Sequence, residues 1–444
     1  MANWNSANGA FFPSGTSVHE TSLAVDKFGD PIDRKNAYGK SVITIDDDTV
    51  QHTSRNRRKI STNETFIFNQ FTGGDDRDLW DEDTTLGGLS TFDQYQGGMV
   101  LSVSNTAGSE IVRETKTTIK YIPGRQNEIA GSIKLNNPQE GIRRRVGVFS
   151  ANNGFYFEDD GGNYSVVIRR GTANGNVEER IGRDDWNVDK LDGNGPSGLT
   201  ANAEAVQMFT FEYEWFGAGQ VEFNWIIDNN KFPIHQFNTG NIKPVSWCNT
   251  PNLPYRLELT NVTGANGTHE MTQGGFSVSA EGSGLGAAGR RRNALSPITG
   301  RSLGSSANVF KPVLSVRLKE DPQFINAVVE LLEFQAATLD NTDIFYLILR
   351  DPSLTGASFV STGPYSPVEY DISATGITSN GTIVTSGFIV GTNQGTQVLL
   401  TGPGISTQIP RKNMGANSEI VTVAIAAVGA NKSAFASIDW LEVR

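Results

Sequence analysis

Tight turns set between period-two apolar runs constrain this chain more than any other feature. Arg143-Arg144-Arg145-Val146-Gly147-Val148-Phe149-Ser150 turns at Ala151-Asn152-Asn153-Gly154 and resumes as Phe155-Tyr156-Phe157-Glu158. It turns again at Asp159-Asp160-Gly161-Gly162 and returns as Tyr164-Ser165-Val166-Val167-Ile168-Arg169-Arg170. Asn-Gly and Asp-Gly-Gly turns flanked by such runs are the strongest short-range hairpin signal. Alternation in strands predicts that Phe155 and Phe157 share a face with Val146 and Val148. The meander closes in a polar loop from Trp186 to Gly198, suited to covering the open end of a sheet or to meeting a partner.

The same grammar continues on both sides. Thr65 to Phe71, Leu79 to Glu82, Met99 to Ser104 and Thr115 to Ile122 read as strands before the meander. After it, Met208 to Phe216 and Gln220 to Asp228 present aromatic faces, Phe209, Phe211, Tyr213 and Trp215 on one and Val221, Phe223, Trp225 and Ile227 on the other. Such stripes predict a sandwich core. Tyr255 to Val262, Val313 to Leu318, Asn326 to Phe334, Ile344 to Arg350, Val368 to Ala374, Ile383 to Val390, Ile420 to Ala427 and the terminal Ala436 to Arg444 complete the set. Leu199 to Gln207 is the modest helix candidate of the first half. The fold class expected is all-β, with two jelly-roll-like or related β-sandwich units and an extended N-terminal arm. The boundaries read as 1–60 for the arm, 61–285 for a central sandwich, 286–310 for a linker or exposed loop, and 311–444 for a C-terminal sandwich.

Length and charge narrow the function classes. A chain of 444 residues suits two or three domains. Its 48 glycines fit many turns. No apolar run approaches the roughly 20 residues of a spanning helix, so membrane insertion is not expected. Met1 to Ser6 lack the basic and apolar regions of a secretory signal. A net charge of −11 argues against a nucleic-acid partner, which requires phosphate neutralisation. Cys248 is the single cysteine, so no internal disulfide forms, and Trp247 and Pro251 beside it suggest a structural thiol.

Each chemical motif meets an ordinary explanation. Gly193 to Gly198 and Gly284 to Gly289 spell G-x-G-x-x-G, but neither joins a strand to a helix as a dinucleotide site requires. Glu158-Asp159-Asp160, Asp184-Asp185, and Asp189 with Asp192 offer carboxylates for a glycosidase pair or a calcium loop, yet turns are where Asp commonly sits. His19, His52, His235 and His269 are scattered without zinc spacing. No G-x-S-x-G elbow occurs. Sequons such as Asn163-Tyr164-Ser165 and Asn261-Val262-Thr263 mean little without secretion. The expectation is no catalytic residue, no cofactor, no metal and no enzyme activity.

Residues 1–60 have weak periodicity. Trp4, Phe11, Phe12 and Val25 have too few apolar neighbours to be buried locally. They are the partner-binding candidates, as parts of an arm docked on a neighbouring molecule. The runs Asp46-Asp47-Asp48 and Arg55-Asn56-Arg57-Arg58-Lys59 read as solvated surface.

Several segments together resemble a module of tailed-bacteriophage virion proteins, seen especially in cyanophages and other marine phages. They are Arg144 to Phe149, Asn153 to Glu158, Ser165 to Arg169, Trp186 to Gly193 and Gly195 to Gly198. Phe211 to Gly217, Thr250 to Pro254, Ser315 to Lys319 and Ser437 to Trp440 add to the likeness. It covers residues 60–330 well and the C-terminal part more loosely; the N-terminal arm lies outside it. It implies a structural protein of the virion, assembled in the host cytoplasm, with copies of itself and other virion proteins as partners. The likeness does not distinguish tail, neck, fibre and capsid; tail, baseplate or fibre is the first expectation here, and capsid decoration or head fibre the second. The competing readings are a carbohydrate-degrading tailspike and a passive sandwich binding a host surface glycan. The long regular repeat of a β-helical tailspike is not found.

Overall fold

The computed structural model describes residues 63–282, 289–321, 324, 327–338, 341–391, 396–399, 408–409 and 418–443, with the backbone of four short strands before residue 60. Met1–Ile60 and Ser61–Arg444 are separate units. In the first, β1 (Asn3–Asn5) pairs with β2 (Ala10–Phe12), Trp4 opposite Phe11, and β3 (Arg34–Lys35) pairs with β4 (Ser41–Val42). The side chains of Trp4, Phe11 and Phe12, and all of Val25, lie outside the described residues, as do both charge runs.

The second unit holds two antiparallel sandwiches. The first uses β5 (Asn63–Asn69), β6 (Trp80–Thr85), β7 (Leu89–Asp93), β8 (Gly98–Val103), β9 (Ser109–Thr115), β10 (Asn127–Lys134), β11 (Ile142–Phe149), β12 (Gly154–Asp160), β13 (Asn163–Thr172), β14 (Gly175–Gly182), β15 (Gln207–Tyr213), β16 (Gln220–Ile227), β17 (Asn230–Asn238), β18 (Tyr255–Asn261) and β19 (His269–Glu281). One sheet runs β17-β16-β15-β10-β19-β8-β7, with β5 also on β19; the other runs β14-β13-β12-β11-β18-β9-β6. Val146 faces Phe157 and Val148 faces Phe155 across β11 and β12, and all four enter one core, as expected. Phe155 meets Phe211, Tyr213, Phe223 and Trp247 at 5.4–6.1 Å between ring centroids.

The second sandwich uses β20 (Arg290–Leu295), β21 (Arg301–Ser302), β22 (Lys311–Leu318), β23 (Val328–Thr338), β24 (Ile344–Arg350), β25 (Ser353–Thr355), β26 (Val360–Ser361), β27 (Val368–Asp371), β28 (Gly376–Ser379), β29 (Thr382–Ile389), β30 (Thr396–Leu399), β31 (Val421–Ala427) and β32 (Ser433–Val443). Its sheets run β20-β32-β23-β30, with β21 on β32, and β26-β27-β22-β31-β24-β29. The terminal strand is docked in a sheet, Trp440 fully buried.

Three local readings are corrected. Leu199 to Gln207 is a turn segment, because Asn202 Oδ1 accepts Glu204 N (3.0 Å) and the Asn202 carbonyl accepts Ala205 N (3.2 Å). The stretch 286–310 is not simply a linker or exposed loop, since β20 and β21 within it pair with β32. Thr115 to Ile122 leaves the sheet after Thr115, and Ile119 makes a lone bridge to Leu253.

That departing segment forms the joint between the sandwiches. Gln408 accepts Thr118 N through Oε1 (2.9 Å) and donates Nε2 to Thr118 O (3.3 Å). Lys120 pairs with Glu330 at 2.8 Å. Glu419 takes Lys116 at 3.1 Å and Arg350 at 2.7 Å, and Arg350 also donates to Asp78 O.

Candidate functional site

The face of the seven-stranded sheet turned away from the core is a ladder of alternating charge. Register puts Glu178 and Arg180 on β14, Arg169 on β13, Tyr156 and Glu158 on β12, Arg145 on β11, Arg256 and Glu258 on β18 and Glu114 on β9 on this side. Arg145 holds Glu158 at 2.7 Å and Glu258 at 3.0 Å. Arg256 holds Glu258 at 2.7 Å and Glu114 at 2.6 Å. Arg180 pairs with Glu158, and Glu178 takes Arg169 at 2.9 Å and the Tyr156 hydroxyl at 2.8 Å. Arg145 and Arg169 lie over the Tyr156 ring and Arg256 over Phe149, which brings guanidinium groups down onto apolar surface.

These carboxylates have opposite fates. Burial works to raise Glu258, but Arg256 and Arg145 outweigh it and hold the carboxyl below its usual range. Burial pushes Glu114 up to about 7, with Arg256 offsetting only part and Asp81 and Glu258 adding to the rise. Glu114 Oε1 has no hydrogen-bond partner among the described residues. A carboxyl near 7 has the proton affinity of a general acid. Glu114 is 0% exposed, however, so no substrate reaches it in this conformation. Glu258, its neighbour, is clamped by two arginines.

The other acidic candidates are also engaged. Asp159 turns inward, opposite in face to Glu158, and bonds Arg144 at 2.8 Å. Asp189 accepts Leu191 N and Ser197 N, both at 2.8 Å, and Asp192 accepts Asn194 N. They organise the loop after the short 3-10 turn Arg183–Asp185, which contains Asp184 and Asp185. Trp186 and Leu191 enter the first core, so this loop does cover the end of the sandwich. The Gly193 to Gly198 motif is part of that cover; residues 284–288 of the second motif lie outside the described residues. Among the described residues no three His, Cys, Asp or Glu side chains converge as metal ligands do. Cys248 is buried, its thiol donates to Thr250 O, and burial pushes its pKa up. Asn261 is buried and bonds Ser104 O, Ala265 O and Gly264 N, so that sequon is structural.

An open cleft lies between the edge hairpin β13–β14 and the segment 237–247, the end of β17 and the chain that follows it. Alternation turns Ile168, Arg170, Val177 and Glu179 to the side opposite Arg169 and Glu178. There these residues meet Phe237 and Trp247, which with Ile168 form the margin of the first core. A turn in which Ile242 N and Lys243 N donate to Thr239 O brings Lys243 to Glu179 at 2.6 Å. The cleft has a volume of about 180 Å³. Its apolar floor is ringed by Arg170, Asn238, Thr239 and Ser246. Lys243 and Glu179 satisfy each other, whereas Arg170 has no side-chain hydrogen bond or ion pair among the described residues. Sequence reading missed this site because its walls come from two separate hairpins; the one available signal was a second arginine, Arg170, placed on the inner parity of β13.

No protein-family model and no curated protein matches the chain. Among solved structures it is similar to a family 16 glycoside hydrolase from the Bacteroides ovatus mixed-linkage glucan locus, with 15% identity over 48% of this chain and 99% of that one, at a TM-score of 0.31. It is also similar to Bacillus licheniformis β-glucanase, with 13% identity over 49% of this chain and 98% of that one, at a TM-score of 0.31. A legume lectin-like domain from Entamoeba histolytica matches with 9% identity over 46% of this chain and 91% of that one, at a TM-score of 0.28. These likenesses concern the antiparallel β-sandwich architecture alone; the all-β sandwich fold stands on the sheets described above.

Proposed function

We propose that this chain binds a carbohydrate without cleaving it, and that its ligand is an acidic sugar unit held in the cleft beside β14. The observation that carries this reading is Arg170, a cation without a side-chain partner among the described residues, above a floor of Ile168, Val177, Phe237 and Trp247. A sugar ring presents an apolar C–H face and a rim of hydroxyls, which match that floor and the Asn238, Thr239 and Ser246 rim. A carboxylate on the ring is the natural partner of a guanidinium fork. The cleft is smaller than the roughly 300–1,000 Å³ of drug-sized pockets, which suits one ring of a longer glycan. The absence of cleavage is supported by the arginine-clamped carboxylates of the charge ladder and by the inaccessibility of Glu114. Calorimetric titration with glucuronate-containing and neutral oligosaccharides tests it. Binding of the acidic series alone, weakened at least tenfold by Arg170→Ala, with no reducing ends released, is expected. Equal binding by Arg170→Ala would remove the proposal.

A second reading is a building block of a tailed-phage particle, supported by the resemblance in Arg144 to Phe149, Asn153 to Glu158 and Trp186 to Gly193 and by the ion-paired joint at Glu419. Tail, baseplate or fibre comes first, and capsid decoration or head fibre second. The two readings are compatible, since a particle protein that meets a host surface has use for a glycan cleft. Cryo-electron microscopy of purified particles tests the second; a particle with no density for this chain would end it.

A further inference from the structure

Every sheet has edges, and an unguarded edge pairs with other chains. Among the described residues, the edge strands longer than four residues carry guards with one exception. Strand β6 has Asp81, Glu82 and Asp83; β14 has Glu178, Glu179 and Arg180; β17 has Lys231 and Pro233; β20 has Arg290, Arg291 and Arg292. Strand β5 carries Glu64 and β7 carries Asp93. Strands β26 and β30 are only 2 and 4 residues long. Strand β29 is 8 residues long, has neither charge nor proline, and pairs only with β24 among the described residues. No Asp, Glu, Lys, Arg or His occurs anywhere between Asp371 and Arg411. Beside this edge, Phe388 (68% exposed) sits opposite Phe345 (45%) on the outer face, and Ile383 and Val390 are also exposed.

We propose that β29 is the strand through which two copies of this chain pair, antiparallel and edge to edge, about a two-fold axis. The lack of charge selects a second copy as the occupant. In a two-fold antiparallel pair each residue near the axis meets its own counterpart or a close neighbour of it, so any charge would face a like charge. A strand of Thr, Ile, Val, Ser, Gly and Phe has nothing to repel itself. The axis stands perpendicular to the sheet, so the outer faces of the two copies become continuous and the Phe345 and Phe388 pairs come onto one surface. The inference does not rest on the carbohydrate reading, whose cleft belongs to the other sandwich.

Light scattering of the full chain across micromolar concentrations tests it, together with Ser386→Lys, a substitution at an exposed outward position of β29. The expected result is a dimer, or an even multiple of one, that falls to half its mass in Ser386→Lys with an unchanged β-type circular dichroism spectrum. Mixing Ser386→Lys with Ser386→Glu should restore the mass. If Ser386→Lys loses its fold, Ile383→Lys carries the same test. A monomeric parent chain, a variant of unchanged mass, or a mixture that stays monomeric would overturn the proposal. Sugar titration of the Ser386→Lys monomer separates this result from the first reading, because the cleft is intact there.

Discussion

The two sandwiches solve the same packing problem with different side chains. The first fills its core with rings: Phe71, Trp80, Phe155, Phe157, Phe209, Phe211, Tyr213, Phe223, Trp225 and Tyr255 are all in one cluster. The second has Phe334, Tyr346 and Trp440 among Val, Ile, Leu and a set of alanines, Ala294, Ala336, Ala427, Ala434 and Ala436. The first also buries a charge ladder against one of its sheets, while the second sets exposed Phe345 and Phe388 opposite each other on one of its own. Rings and ion pairs are directional, so the first sandwich is a stiff frame that holds a cleft in shape. Aliphatic packing is less demanding, and the second sandwich spends its distinctive residues on its exterior.

Substitutions can break this contrast, beginning with the core. Phe155→Ala removes a ring that touches four others and should cost about 3–5 kcal/mol. Ile438→Val in the second core should cost only about 0.5–1.5 kcal/mol; urea unfolding measures both, and equal costs would erase the distinction. Arg145→Met leaves buried Glu158 and Glu258 without a shared partner and should cost about 3 kcal/mol, read from the same unfolding curves.

A smaller effect depends on pH. His235 is buried, its Nδ1 accepts Asn187 N at 3.2 Å, and burial pushes its pKa down to about 4 from the usual 6.5. The unfolded chain therefore binds this proton more readily, and stability is lost as pH falls from about 6.5 toward 4, by at most about 3 kcal/mol. Glu114, raised to about 7, has the opposite sign: its contribution is present below its unfolded value of 4.5 and is lost as pH rises to about 7. His235→Phe should leave the Glu114 slope alone, so that stability between pH 4.5 and 7 falls with pH instead of being nearly flat. The smallest effect is expected from Phe388→Ser, exposed on the second sandwich, whose unfolding free energy should change by under about 0.5 kcal/mol in the monomer.

The hairpins were legible because turn chemistry and alternation agree in β11 to β13, where the expected register of Val146 and Val148 with Phe157 and Phe155 is the one found. Strand β19 was not legible, although it lies in the middle of its sheet. Its inward residues are Met271 and Gln273 before Gly274-Gly275, then Phe276, Val278 and Ala280. A bulge there changes the parity and cancels the period-two signal. A Cβ on Gly274 would stand 2.1 Å from Ser132 Oγ, so a side chain there would have to turn that hydroxyl aside. Strand β10 hid for a related reason: Gly131 faces the Phe209 ring, where a Cβ would stand 2.8 Å from it, and its place in the apolar pattern is blank. The cleft was not legible because Arg170 and Lys243 become neighbours only through tertiary folding.

The central position of β19 has a consequence for the order in which the protein is made. Strands β5, β8 and β10 all pair with β19, yet each leaves the ribosome well before it. The β11 to β14 meander needs only its own neighbours and can form during synthesis. The strand that joins β10 to β8 arrives last of the first sandwich. Until then one of its two sheets is split, with β10, β15, β16 and β17 on one side, β7 and β8 on the other, and β5 without its partner. Such long-range closure makes folding slow and leaves sticky surface open in the meantime. A nascent chain of this kind calls for chaperone cover until residue 281 is clear, and copies made close together on one message are at most risk of joining wrongly in that interval.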